Sequence, residues 1–265
     1  MQTERVEGEP RTSQRKARRQ AQILSDLRAH PVVRASEIAR RLGVHVETIR
    51  RDLNELHEKG KISRTYGGAL PAAMGFEASL AERDVLYVEE RTRIAELAAA
   101  MISPGDVVMV DVGATTTHFA QRLLARGCEA QIITNSCTLP AVLGPTRQIR
   151  TILCPGEYSF RQGGVAGSET TDFLQNFHAD KVVFSVGGIT EDGLYEVDPD
   201  FAWVKRAMIA NARTRIVLSD HSKFGRAVMT RVSGFEEIHH LITDRPIDEP
   251  IQKQIARSGV EVHVV

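Results

Sequence analysis

The first 70 residues place apolar side chains at helical spacing within a polar background. Ile23, Leu24 and Leu27 share one face of a first helix, which His30-Pro31 ends because the residue before a proline avoids the helical region. Two more helices are expected at about residues 36–42 and 47–59. Their inward-facing positions are Ile38, Ala39, Leu42, Ile49, Leu53 and Leu56. A short β-like run with a glycine turn follows at 61–69, so the pattern predicts a winged helix-turn-helix.

Beyond residue 88 the pattern changes to apolar β-rich runs that alternate with helical stretches. A helix is expected at about 88–101, and the runs that follow it are rich in Val and Ile. The predicted strands are 107–112, 131–134, 150–154, 181–186, 215–219, 240–243 and 260–264. Near-continuous apolar strands separated by helices indicate an α/β fold with a mostly parallel sheet covered on both faces.

These patterns divide the chain into four parts. Residues 1–12 are polar and lack an apolar period, so they are expected to be a disordered tail. Residues 13–70 form the small α+β head, 71–87 a connector containing Pro71 and Gly75, and 88–265 the larger domain.

The net charge of zero conceals a charge difference between these parts. Residues 1–70 hold 15 Lys and Arg against 9 Asp and Glu, whereas residues 71–265 hold 19 against 25. A basic head on an acidic body is typical of a polyanion-binding domain joined to an effector domain. A chance fluctuation in surface charge is the alternative.

Several protein classes are not expected from the composition. No apolar run approaches the roughly 18 residues of a membrane span, and Met1 to Arg19 lacks the apolar core of a secretory signal. Three cysteines without CxxC spacing argue against a disulfide framework. A cytoplasmic location is therefore expected.

The candidate DNA-binding residues lie on the third helix and on the wing. They are His45, Glu47, Thr48, Arg50 and Arg51 on the helix, with Lys61, Arg64 and Tyr66 on the wing. Arginine offers a rigid fork to guanine edges or phosphates, and the wing could lie on the minor groove or the phosphates. Asp52 could orient the arginines or cap a neighbouring contact. The alternative is a solvated basic helix face.

Small, polar and charged residues follow several predicted strands of the larger domain. In an open parallel sheet, ligands bind beyond the carboxyl ends of the strands. The segment Gly113 to Thr117 opens a helix whose free amides and hydroxyls suit a phosphate or carboxylate, and Lys223 offers a charge for the same anion. Helix capping and a surface lysine are the alternatives.

Both parts of the chain resemble the DeoR-type transcriptional regulators. In the head, Glu37–Val44, Glu47–Leu56 and Gly67-Gly68-Ala69 carry the resemblance. In the larger domain, the matching segments are Asp111–Thr117, Thr134–Ser136, Lys205–Met208 and Asp220–Phe224. The resemblance implies a sensor domain similar in fold to ribose-5-phosphate isomerases and coenzyme A transferases, in which a phosphorylated sugar or related metabolite changes operator affinity.

The resemblance also implies a pocket. Its expected residues are Asp111, Gly113, Thr115, Thr116, Asn135, Gly187, Lys205, Asp220 and Lys223. The sequence departs from the family pattern at four places. His45 replaces a capping serine, Ala114 replaces Gly or Ser, and Pro155 to Tyr158 replaces a Gly-Gly pair. The loop before Trp203 is acidic, with Glu196, Asp198 and Asp200. Ala114 narrows the loop, and the Asp198 carboxylate could accept hydrogen bonds from sugar hydroxyls or be solvated.

Two other classes compete with this interpretation. One is a sugar-phosphate isomerase or transferase on the same fold with an accessory DNA-binding head, and the other is a ligand-free architectural DNA-binding protein. Asp111, Asp198 and Asp220 could act as base or nucleophile, but no matched acid/base pair is recognisable from spacing. An architectural protein is expected to be more basic. The histidines show no two-ligand spacing beside the cysteines, so no metal and no cofactor is expected.

The sequence thus predicts a DNA-binding transcriptional regulator, a repressor of a carbohydrate catabolic operon, with no catalytic residues. Its expected partners are double-stranded operator DNA and a sugar-phosphate effector. A homo-oligomer, dimer or tetramer, is expected because symmetric oligomers match symmetric or repeated half-sites.

Overall fold

The computed structural model describes residues 15–16, 18–24, 33–58, 62–65, 68–71, 77 and 79–265. The expected tail at 1–12, the helix end at Leu27 to Pro31, and the wing residues Lys61 and Tyr66 lie outside the described residues. The chain divides into two compact units, Met1–Phe76 and Glu77–Val265.

The first unit is a small helical head with a three-stranded antiparallel sheet. Its elements are α1 (18–24), β1 (Val33–Arg34), α2 (Ala35–Leu42), α3 (Val46–Glu58), β2 (Ile62–Thr65) and β3 (Gly68–Pro71), with strand order β1-β3-β2. Ile38, Ile49 and Leu53 are fully buried together with Ile23 of α1. These positions are among those that helical spacing predicts to face inward, and the predicted helix-turn-helix fold is confirmed.

Among the described residues, the second unit is built on twelve strands and seven helices, with a few short turns. The strands are β4 (Asp106–Val110), β5 (Ala130–Thr134), β6 (Ile149–Leu153), β7 (Glu157–Ser159), β8 (Gly164–Ala166), β9 (Ala179–Ser185), β10 (Gly188–Thr190), β11 (Gly193–Glu196), β12 (Ala212–Ser219), β13 (Thr230–Ser233), β14 (His240–Thr243) and β15 (Glu261–Val264). The helices are α4 (Leu80–Asp84), α5 (Val88–Ala100), α6 (Ala114–Ala125), α7 (Leu139–Leu143), α8 (Ser168–Leu174), α9 (Pro199–Ala210) and α10 (Glu249–Arg257).

Seven strands form one parallel sheet with the order β15-β14-β12-β9-β4-β5-β6. The sheet grows outward in both directions from the adjacent strands β4 and β9, which creates a topological switch point between them. A crevice opens at such a point beyond the carboxyl ends of the strands. All seven predicted strands are present, and the predicted α/β class is confirmed.

Adjacent residues of each central strand enter opposite hydrophobic cores, because side chains alternate across a sheet. Met109 of β4 packs in one core with Phe201 of α9, and its neighbour Val108 packs in the other core with Phe119 of α6. The main sheet is therefore covered on both faces, as the apolar runs predict.

Two small sheets were not expected from the sequence. Strands β10, β11 and β13 form an antiparallel sheet beside the main one, and β7 pairs with β8 as a hairpin. Each strand has only three or four residues, which is too short for an alternating pattern to be read.

The segment expected to be a connector partly belongs to the second unit. Residues 77–87 include α4, whose Leu80 is buried in the second unit's core, and Glu77 is also buried. Ser79 begins α4 with a reciprocal capping box in which Glu82 takes part. Within the described residues, no helix has the length and apolar character that crossing a bilayer requires.

Candidate functional site

Helix α3 presents a row of polar side chains to solvent. His45, Glu47, Arg50 and Arg51 are exposed, and Thr48 is half-buried. Arg50 forms an ion pair with Glu47 at 3.2 Å between Nη1 and Oε2, on the surface of the helix. The predicted contact residues of the helix therefore lie on an accessible face, with Ile49 and Leu53 buried behind them.

His45 occupies the position just before α3 and caps it. Its Nδ1 accepts a hydrogen bond from the backbone N–H of Glu47 at 3.3 Å. This satisfies one of the N–H groups that a helix start leaves without an intrahelical partner. The imidazole thus caps the helix at the position where the family pattern has a serine.

Asp52 has a structural role, which corrects the expectation that it orients the arginines beside it. Its side chain is buried and forms an ion pair with Arg19 of α1. The hydrogen bond to Asp52 raises the pKa of Arg19, and burial only partly opposes it. The pair ties α1 to α3 beneath the exposed face.

The wing can be placed only in part. Arg64 lies in β2, which pairs with β3 in antiparallel register. Lys61 and Tyr66 lie outside the described residues, so no position is assigned to the other two predicted wing contacts.

A narrow cleft opens in the second unit at the switch point of the sheet. Ala114 and Thr115 border it at the start of α6, Ser185 and Val186 at the end of β9, and further residues at the end of β12. The full lining is Arg83, Arg91, Ala114, Thr115, Ser185, Val186, Leu218, Ser219, Asp220 and Lys223. Four predicted pocket residues are thus brought together: Ala114, Thr115, Asp220 and Lys223.

Positive charge exceeds negative charge at the cleft. Arg83, Arg91 and Lys223 line it, against the carboxylate of Asp220 in the lining and that of Glu77, which pairs with Lys223 and Arg83. The first N–H groups of α6 face the same region, since Ala114 and Thr115 begin that helix, and they carry the positive end of its dipole. Such a site suits an anion.

Two buried carboxylates hold these cations in place. Arg91 donates from Nη2 to Asp220 Oδ2 at 3.0 Å, and Lys223 Nζ donates to Glu77 Oε1 at 3.0 Å. Arg83 also pairs with Glu77, at 3.3 Å. Burial acts to raise both carboxyl pKa values, but the cations outweigh it, so the pKa of Asp220 is lowered and that of Glu77 falls to about 2.

Tyr87 supports Arg91 from the start of α5. Its φ of 54° lies in the left-handed region, which is uncommon for a residue with a side chain and often marks a functional site. The Arg91 guanidinium lies 5.8 Å from the Tyr87 ring centroid. The His221 ring packs against Tyr87 in a T-shaped arrangement, with 5.1 Å between the ring centroids.

Asp111 and Lys205, two predicted pocket residues, form a buried ionic cluster with Glu196. Lys205 Nζ lies 2.8 Å from Asp111 Oδ2 and 3.0 Å from Glu196 Oε2. Burial raises the pKa of Asp111 to about 6, although Lys205 opposes the shift. Burial alone would lower the pKa of Lys205, but the two carboxylates raise it. The cluster therefore holds a charged lysine between two acids.

The other five predicted pocket residues have structural roles, mostly through hydrogen bonds to the backbone. The Thr116 hydroxyl donates to the carbonyls of Asp111 and Gly113, and the Asn135 amide bridges Val112 N–H and the Val165 carbonyl. Asp198 caps α9 by accepting from Asp200 N–H. A Cβ at Gly113 would overlap Ser185 Oγ, so this glycine lets the start of α6 approach β9. Gly187 donates its N–H to the Tyr195 carbonyl.

The three carboxylates considered for an enzyme are each held by a different partner. Asp111 pairs with Lys205, Asp220 pairs with Arg91, and Asp198 caps a helix. Each carboxylate thus has a positioning role.

Sequence reasoning missed Arg83, Arg91 and Glu77. A signal was present for Arg91, which lies three and four residues before the buried Ile94 and Ala95 and so shares the buried face of α5. An arginine at a core position is expected to have a buried anionic partner. Glu77 and Arg83 fall in the segment taken as a connector, where no pattern marked them.

The structure also brings together residues that lie far apart in the sequence. His240 and His263 lie side by side with Glu261 at one edge of the main sheet. Spacing along the chain does not reveal this pair, because His263 lies on a different strand from His240.

A helix-turn-helix head joined to a parallel α/β unit with an anion-ready cleft defines the class of ligand-responsive DNA-binding regulators. Comparisons with known proteins give the family. Residues 19–72 match the DeoR-like helix-turn-helix domain, and residues 87–245 match the DeoR C terminal sensor domain. The chain belongs to the DeoR family.

Named relatives match over nearly the whole chain. The glycerol-3-phosphate regulon repressor of Escherichia coli is 34% identical, over 84% of this chain and 89% of that protein. The transcriptional repressor GlcR of Bacillus subtilis is 35% identical, over 91% and 93%. These relatives favour a regulator over an enzyme. A solved ribose 5-phosphate isomerase A from Methanocaldococcus jannaschii is similar over 52% of this chain and 54% of its own, with 16% identity and a TM-score of 0.38.

Proposed function

We propose that this chain is a transcriptional repressor of a carbohydrate-use operon and that a phosphorylated sugar bound in the second unit changes its affinity for operator DNA. The observation that carries the proposal is the excess of cations at the switch-point cleft, next to the start of α6. The names of the relatives, which include a glycerol-3-phosphate regulon repressor, support the phosphorylated class of ligand.

The cleft supports a specific arrangement of the ligand. The phosphate would lie against the first amides of α6 and the Thr115 hydroxyl, with Lys223 as a counter-charge. Arg83 and Arg91 line the same cleft. The Asp220 carboxylate would accept hydrogen bonds from sugar hydroxyls.

DNA binding is assigned to the exposed face of α3. We infer that Arg50 and Arg51 contact base edges or phosphates in the major groove, together with Thr48, His45 and Glu47. The wing residues Lys61, Arg64 and Tyr66 would contact the backbone or the minor groove. A symmetric oligomer would match symmetric or repeated half-sites in an operator. We therefore further propose a homo-oligomer, a dimer or tetramer, which light scattering of the purified chain tests.

The effector proposal is tested by thermal unfolding of the full chain with a panel of sugar phosphates and their unphosphorylated parents. A ligand that binds only the native state raises the midpoint by mass action. We expect one sugar phosphate to raise the midpoint and its parent sugar to leave it unchanged. Lys223→Ala should abolish that shift, whereas Lys253→Ala, which removes an exposed lysine of α10, should retain it.

A shift with the parent sugar equal to that with the phosphate would contradict the assigned anion site. A shift that Lys223→Ala leaves unchanged would remove Lys223 from it. Circular dichroism of the Lys223→Ala variant checks that it is folded, since the change removes one of the cations around the buried Glu77.

A further inference from the structure

One edge of the main sheet carries three metal-binding side chains on the same face. Strands β14 and β15 pair in parallel, with His240 opposite Glu261 and Ile242 opposite His263. Side chains alternate along a strand, so residues two apart and residues directly paired share a face. The register therefore places both imidazoles and the carboxylate together.

The nitrogen donors of the two imidazoles lie close to each other, and each faces a different oxygen of the Glu261 carboxylate. His240 Nδ1 lies 3.3 Å from His263 Nε2, His240 Nδ1 lies 3.4 Å from Glu261 Oε2, and His263 Nε2 lies 3.6 Å from Glu261 Oε1. Ligands about 2.0–2.1 Å from a tetrahedral Zn²⁺ ion lie about 3.3 Å from one another. The three side chains thus stand at the separation that zinc ligands adopt.

We propose that His240, Glu261 and His263 bind a Zn²⁺ ion at the β14–β15 edge. Two imidazoles and one carboxylate are a zinc donor set that leaves the fourth position to water. Solvent reaches the group, because the Glu261 side chain is 65% exposed while the two imidazoles are about one-fifth exposed. The ion would reach the three side chains from the solvent-exposed side of Glu261.

The site is separate from the effector cleft. Glu261 and His263 lie beyond residue 245, where the match to the sensor domain ends. β15 is the terminal strand of the sheet order, so an ion bridging it to β14 would fasten the edge strand to its neighbour. Zinc should therefore stabilise the second unit against unfolding.

A hydrogen bond between the two imidazoles is the competing explanation of the geometry. One ring nitrogen would donate to the other at 3.3 Å, and the glutamate would accept from either ring. That arrangement needs no metal. Under this explanation added zinc does not bind at the site, whereas the proposed site binds it.

The experiment titrates full-length, untagged protein with ZnCl₂ in competition with a chromogenic zinc chelator, and repeats it with three variants. His263→Ala removes one imidazole, and Glu261→Gln removes a charge from an exposed side chain without changing its shape. His178→Ala, which removes an exposed histidine elsewhere in the unit, is the matched control. Thermal unfolding with and without ZnCl₂ supplies a second readout, and circular dichroism verifies that each variant is folded.

We expect one zinc ion per chain to bind the native protein and the control alike, and to raise both melting temperatures. Affinity should fall by about tenfold or more in His263→Ala and in Glu261→Gln, since loss of even an outer-shell partner costs about that much. Substituted Co²⁺ should show the visible absorption of a tetrahedral site, which His263→Ala abolishes. Equal zinc affinity in all four proteins, or no saturable binding by the native chain at micromolar concentrations, would overturn the proposal.

Discussion

At the scale of single residues, the cleft depends on buried charges that hold one another in position. Glu77 is 5% exposed and contacts Lys223 and Arg83, while Asp220 is 1% exposed and contacts Arg91. A buried charge without a partner is strongly destabilising, so these carboxylates are expected to contribute to stability as well as to ligand binding.

The pKa of Glu77 gives this contribution a defined pH dependence. Its folded pKa of about 2 lies below the usual 4.5, so its stabilisation is complete above about pH 4.5 and is lost as the pH falls toward 2. Glu77→Gln should destabilise the chain by about 3 kcal/mol at pH 7, which is the magnitude that such a difference in pKa implies. Urea unfolding of both proteins from pH 7 to pH 3 measures the difference.

The gap between the Glu77→Gln and native stabilities should narrow once the pH falls below about 4.5. Glu249→Gln, at an exposed site of α10, should differ little from the native chain at any pH. A destabilisation by Glu77→Gln that stayed constant down to pH 3 would show that Glu77 is not held ionised by its neighbours.

At the scale of elements, the parallel strands and the head helices could be predicted because each has one dominant apolar signal. Val183 and its neighbours in β9 are buried on both faces, and Ile49, Leu53 and Leu56 repeat at helical spacing in α3. The side sheet of β10, β11 and β13 could not be predicted, because its strands are too short to show a period.

The candidate site was less predictable than the fold, for a related reason. Residues that follow strand ends, such as Thr115 and Asp220, could be located because parallel strands bring their ends to one edge. Arg83 comes from α4 and Arg91 from α5, and no rule of spacing links these helices to the cleft. Asn135 also follows a strand, but its side chain accepts a hydrogen bond from a backbone N–H and does not line the cleft. Polar side chains near loops often satisfy buried backbone amides in this way.

The exposed face of α3 leads to a prediction at this scale. Arg50→Ala should lower affinity for DNA by about 5- to 150-fold, the effect of losing one good base contact, and leave the thermal shift by the effector unchanged. The duplex is one selected by the native protein from a random-sequence library, and the measurement is fluorescence anisotropy at several salt concentrations.

Arg257→Ala is the matched control, because it removes the same charge from an exposed position of α10. If Arg50 instead neutralises a phosphate, the dependence of log affinity on log salt should lose about one unit of slope. Equal affinity and equal slope in Arg50→Ala and the native protein would remove Arg50 from the DNA contacts.

At the scale of the whole molecule, a regulator needs coupling between two binding events in separate units. The chain folds into two compact units that divide between Phe76 and Glu77, and the two proposed sites lie one in each. An effector can shift the DNA-binding equilibrium only if it binds the DNA-competent and DNA-incompetent states with different affinity. Thermodynamic linkage then requires the effect to be reciprocal.

The reciprocal coupling between the effector site and the DNA site can be measured. If the sugar phosphate found by thermal unfolding changes affinity for the selected duplex by a given factor, saturating duplex must change affinity for the sugar phosphate by the same factor. Couplings of this kind amount to about 5- to 150-fold, which anisotropy and calorimetry both resolve. Lys223→Ala should bind DNA as the native chain does without effector and show no response to added sugar phosphate. An effector that binds with equal affinity to free and DNA-bound protein would show that the cleft does not control DNA binding, even if both sites are correctly assigned.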